Sequence, residues 1–141
     1  MRGRSTALWC LALALVAGCG SSSGGGTADI KRDLLRGVGE IRATQDRHVL
    51  YADLTRILES LRRDRASTAD ARRARSLAIQ GFEWTLKGTR SQLDFSENDS
   101  GNVAAATRDA KRADRYLTRG ANRLRAAGRI LEIRIGKLNA H

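Results

Sequence analysis

After Thr27, apolar residues return every three or four positions along most of the chain, the spacing of one face of an α-helix. A first stripe of Ile30, Leu34, Val38, Ile41, Gln45, Val49, Ala52, Ile57, Leu58 and Leu61 predicts a helix from Ala28 to Arg63, although its intervals are irregular. Gly37 and Gly39 each lower helix propensity by about 1 kcal/mol relative to alanine, and mark either a bend or a close backbone approach. A break at Ala66-Ser67-Thr68 follows, where Ser67 is positioned to cap the next helix and Asp70 completes a capping-box pattern. That second helix runs to about Glu97 with Ala71, Ala74, Ala78, Phe82, Thr85, Leu86, Thr89 and Leu93 near one face. Gly81 and Gly88 share a side of it and predict a close crossing by a neighbour.

Asn98-Asp99-Ser100-Gly101-Asn102 is the clearest turn in the chain. The third helix leaves it, capped by Asn102. Its stripe is the most regular: Val103, Ala106, Ala110, Ala113, Leu117, Gly120, Leu124, Ala127, Leu131, Arg134 and Leu138, with Arg134 the only charged member. Such a sustained alternation of threes and fours is a coiled-coil-like seam. Three helices with short turns predict an all-α fold, an elongated antiparallel three-helix bundle (up-down-up) about 50 Å long. An extended hairpin that completes its core as a homodimer is the competing arrangement. Proline is absent and aromatics make up only 4% of the 141 residues, which favours long helices over sandwiches or barrels.

The first twenty residues differ in kind. Arg2 and Arg4 give a positive start, and Ala7 to Ala17 is continuously apolar, about half the length that spans a bilayer. The segment ends Val16-Ala17-Gly18-Cys19-Gly20. It resembles the lipobox of bacterial lipoproteins, with Val16 standing where leucine is commoner. The resemblance covers the leader alone. It implies cleavage between Gly18 and Cys19, a diacylglycerol thioether on Cys19, often a further acyl chain such as palmitate, and an extracytoplasmic, membrane-anchored product. With that cleavage Cys10 leaves with the leader, so Cys19 is the only cysteine of the processed chain and no intramolecular disulfide can form. Ser21 to Gly26 reads as a flexible tether. The organisation expected is therefore a signal peptide over 1–18, a lipidated cysteine and tether over 19–26, and a helical bundle domain over 27–141.

Charge separates the segments further. Of 26 basic residues, two leave with the leader, and the remaining 24 against 15 acidic residues give +9. Residues 101–141 hold ten basic and three acidic residues, most of that excess. Arg108, Arg112, Arg115, Arg119 and Arg123 recur at helical spacing as one basic stripe. It suits anionic lipid, an anionic wall polymer or an acidic protein, or else is a solvated face. Nucleic acid is not the expected partner of an exported domain without aromatics between the basic residues.

No catalytic set is legible. The only histidines are His48 and His141, Glu-x-x-His and Cys-x-x-Cys-His are absent, and no phosphate loop occurs, so no enzyme activity, metal or cofactor is expected. His48 reads as a boundary residue of the first helix. Trp84 lies about 200° around the helix from Phe82, so it either contacts the third helix or forms an exposed strip with Leu77. The expected role is a non-catalytic helical binding or structural module. The other class considered is a carrier whose bundle opens around a small apolar ligand between Phe82, Leu86 and Leu124.

Overall fold

The computed structural model describes residues 25–97 and 102–138, and every regular element among them is helical. The leader, Cys19 and residues 98–101 of the predicted turn lie outside the described residues. The all-α expectation holds. The described helices are four rather than three: α1 Gly25–Ala43, α2 Arg47–Arg63, α3 Ala69–Glu97 and α4 Val103–Ile130. Gly25 and Gly26, read from sequence as tether, belong to α1.

The first predicted helix is two because Asp46 interrupts it. Its backbone is extended (φ −70°, ψ 118°), and its carboxylate accepts the N–H groups of His48 and Val49 at 2.8 and 3.2 Å. Those are donors that the first turn of α2 would otherwise leave unpaired. The interruption resets the helical phase. Leu50, Leu54, Ile57, Leu58 and Leu61 face the core, whereas Gln45, Val49 and Ala52, assigned to the stripe by an unbroken helix, are exposed. The chain also reverses there. Gly26, in the first turn of α1, lies so close to the Arg65 carbonyl beyond α2 that a Cβ would overlap it.

The remaining helices reverse in turn. His48 Nε2 lies 3.6 Å from Glu97 Oε1, and Arg62 donates to Glu83 at 2.8 Å, so α2 runs antiparallel to α3. Gly81 faces Leu124, Thr85 faces Gly120 and Gly88 faces Leu117, so α3 runs antiparallel to α4. The result is an up-down-up-down arrangement with α3 at its centre. All eight stripe residues predicted for this helix, from Ala71 to Leu93, are buried. Thr68 caps α3, its hydroxyl accepting Ala71 N–H at 3.0 Å, and the neighbouring Ser67 carbonyl accepts from Arg72 at 3.3 Å.

Bulk fills one side of α3 and close approach fills the other. Toward α1 and α2 sit Phe82, Ile30, Leu34, Leu54, Ile57 and Leu61, all fully buried. The Phe82 ring rests directly on Gly37, where any Cβ would collide with it. Gly37 is therefore a close approach and not a bend. Toward α4 the facing residues are Gly81, Thr85, Gly88, Ala113, Gly120 and Ala121. A Cβ on Gly120 would stand 2.8 Å from the Gly81 carbonyl oxygen, so the predicted close crossing is made.

The third predicted helix stops eight residues short of Leu138. Glu132 adopts φ 57°, Ile133 N–H bonds Gly128 O at 2.8 Å, and Glu132 N–H bonds Arg129 O at 3.3 Å. These two bonds make a Schellman cap, with glutamate in the position usually held by glycine. Beyond it the chain is non-helical. Ile133, Ile135 and Leu138 pack against the core while Arg134 and Lys137 point to solvent. Arg134 is thus an exposed residue of this strap and not a member of a helical seam.

Candidate functional site

α4 packs chiefly on α3, which leaves most of its circumference open. Arg108, Arg112, Arg115, Arg119 and Arg123 are all exposed. At 100° per residue they fall within an arc of about 80°, centred roughly 120° from the α3-facing side that carries Ala113, Leu117, Gly120, Leu124 and Ala127. The stripe is therefore one continuous surface, about 22 Å long. Among the described residues its one carboxylate partner is Asp109, 3.6 Å from Arg112 and itself half exposed. Such a pair contributes little in water, so the positive field of the face is almost uncompensated.

One edge of the face is built differently. Trp84 reaches across from α3 and stacks on Tyr116, with ring centroids 5.4 Å apart and planes inclined by 30°. Lys87 Nζ lies 4.7 Å from the Trp84 ring centroid and the Arg119 guanidinium carbon 5.2 Å from it. Cations at these distances are attracted to the negative face of the ring. Of the two placements open to Trp84 from sequence, contact with the next helix is the one adopted; Leu77 instead packs partly against the core. An open groove of about 440 Å³ runs beside the indole, lined by Trp84, Arg119, Asn122, Arg123 and Ala126. Tyr116 was not singled out from sequence. Its position one turn before Arg119 becomes informative only once the register of α3 against α4 is known.

A second electrostatic feature lies where α1 begins. Asp33 is 4% exposed; one carboxylate oxygen takes a bond from Arg32 Nε at 3.3 Å, and the other has no protein partner. Arg32 also pairs with Asp29 at 3.0 Å, and the two carboxylates raise its affinity for its proton. Asp64 lies in the same field. Burial first, then Asp33 and Asp29, pushes its carboxyl above the ordinary range, while Arg32 and Arg75 pull it back. By contrast the N–H groups of Val49 and His48 hold Asp46 below that range. No group of three or more metal-ligating side chains occurs among the described residues, and His48 is an exposed side chain beside Glu97.

A cavity of about 20 Å³ touches Ile41, Leu50, Thr89, Gln92, Leu117 and Leu138, with Thr89 Oγ1 and Gln92 Oε1 buried beside it without protein partners. That is space for about one water. No described helix is long and apolar enough to cross a membrane. No family model matches the chain, and neither a curated protein nor a solved structure matches it.

Proposed function

We propose that this chain is an extracytoplasmic lipoprotein, anchored to a bacterial membrane by lipid on Cys19 behind the lipobox Val16-Ala17-Gly18. Its helical domain is a non-catalytic module that binds anionic components of the cell envelope through α4. The single observation that carries the binding reading is the exposed face of Arg108, Arg112, Arg115, Arg119 and Arg123, which among the described residues no other element covers and only Asp109 pairs with. The 20 Å³ cavity supports a binding module over a carrier of apolar ligands, since drug-sized ligands occupy hundreds of cubic ångströms.

Two experiments test the reading. For the anchor, detergent phase partitioning should place the processed protein with membranes, and Cys19→Ser should release it or leave it unprocessed. Two or three acyl chains hold firmly where one does not. An aqueous, leader-cleaved wild type would overturn the assignment. For the face, full-length Cys19→Ser protein should bind anionic vesicles or purified anionic wall polymer at low salt and lose that binding as salt rises. Replacing the five arginines by glutamine should remove the binding and leave the helical spectrum unchanged.

A further inference from the structure

The stripe explains attraction to any polyanion, but it does not explain the Trp84 groove. Trp84 is only partly buried, and this chain keeps only two tryptophans, the other being Trp9 in the leader. Trp84 is held by Tyr116 and bracketed by Lys87 and Arg119, so its orientation is set by contacts within the fold. The groove beside it offers an apolar aromatic wall, two guanidinium groups one helical turn apart, and the Asn122 amide, which already accepts Arg125 at 2.8 Å. An aromatic face with a few convergent polar groups suits a ring that has an apolar side and a hydroxylated rim. Guanidinium groups suit carboxylate or phosphate on that ring.

We infer that this groove is a subsite for one sugar of an acidic glycan, the pyranose packing against the part of Trp84 that lines the groove and its anionic substituent meeting Arg119 and Arg123. The flanking arginines of the stripe then hold neighbouring units of the same chain. The inference rests on the α4-binding reading and names its ligand class.

Two features favour a glycan over a lipid headgroup. The groove is concave, whereas a bilayer offers a flat surface to projecting apolar side chains. The site is also remote from the anchor. The tether enters at Gly25, and Gly37, twelve residues up α1, is level with Phe82 and hence with the end of the stripe at Arg123. At 1.5 Å per residue Arg123 lies about 18 Å and Arg108 about 40 Å along the bundle from the tether.

The test uses the full chain with Cys19→Ser and Trp9→Phe, in which Trp84 is the only fluorophore of its kind. Oligogalacturonate, linear polyphosphate of matched charge, and vesicles of equal parts phosphatidylcholine and phosphatidylglycerol are titrated at low salt. Oligogalacturonate should shift Trp84 emission and shield it from acrylamide, and polyphosphate should bind without doing either. Trp84→Ala should weaken oligogalacturonate binding about tenfold, as loss of an interface tryptophan does, and leave polyphosphate binding unchanged. Asn122→Ala, which leaves the Trp84–Tyr116 stack intact, should weaken the glycan selectively as well. If both polyanions bind without a Trp84 response, or the vesicles shield Trp84 more than the glycan does, the sugar subsite is wrong while the basic face stands. If none of the three binds at low salt, the α4-binding reading falls with it.

Discussion

Between α1 and α2 the space is filled by Ile30, Leu34, Val38, Leu50, Leu54, Ile57, Leu58 and Leu61. Between α3 and α4 it is closed instead by drawing backbones together over Gly81, Gly88, Gly120, Ala113 and Ala121. The two halves differ in charge as well. Residues 27–65 carry nine basic and seven acidic side chains, against ten and three in residues 101–141. Bulk tolerates irregularity, so α1 and α2 can break at Asp46 and still bury their leucines. Close approach does not, because every layer must be small in register, and this keeps the small residues of α4 in strict period for as long as it faces α3. A helix with one thin buried face has most of its surface left over, and that surface holds the excess charge.

Four substitutions sharpen the comparison, and denaturant unfolding reads all of them. Leu54→Ala in the bulky half should cost most, about 2–5 kcal/mol, since the side chain is fully buried within the main core cluster. Gly120→Ala in the tight half adds one methyl group and should still destabilise. Overpacking costs about 1–3 kcal/mol, and the Gly81 carbonyl it meets is backbone that cannot rotate away; better helix propensity returns only about 1 kcal/mol. Gly39→Ala is the control in α1, where nothing lies within 4 Å of the added Cβ, and it should stabilise by up to about 1 kcal/mol. A destabilising Gly39→Ala together with a neutral Gly120→Ala would reverse the assignment of tight and loose halves. Glu132→Gly relieves a left-handed backbone and should stabilise by about 0.5–1 kcal/mol.

The smallest effect is in pH. Asp64 keeps its proton more tightly in the fold than its ordinary value of 3.8, so the folded state binds more protons than the unfolded one just above that value. Its favourable contribution is present below pH 3.8 and is lost as pH rises through the raised value. Asp64→Asn should therefore be more stable than wild type at neutral pH, with the difference shrinking in acid. An equal difference at all pH values would show that Asp64 does not titrate within the fold.

The α3 stripe was fully legible because one unbroken helix lies at the centre with its apolar face buried throughout. The Asp46 break was not, because Thr44-Gln45-Asp46 contains neither glycine nor proline and an apolar stripe can be drawn straight across it. Its trace was the irregular spacing itself. The C-terminal strap was misread because Ile133-Arg134-Ile135 and Leu138 satisfy periods of two and of three to four alike, and only Glu132 in its left-handed conformation decides between them. Of the site, the five arginines could be placed on one face from spacing alone. The Trp84–Tyr116 stack could not, since it depends on the antiparallel register of two helices.

The central claim is that binding belongs to the face of α4 and not to net charge. The direct measurement is the salt dependence of polyanion affinity for three full-length Cys19→Ser proteins: wild type, the five α4 arginines changed to glutamine, and Arg36, Arg42, Arg56, Arg62 and Arg63 of α1 and α2 changed likewise. The last two carry identical net charge. The account predicts that the α4 variant loses both affinity and most of the slope of log affinity against log salt, while the α1–α2 variant retains both within about threefold. Equal losses in the two variants would contradict it.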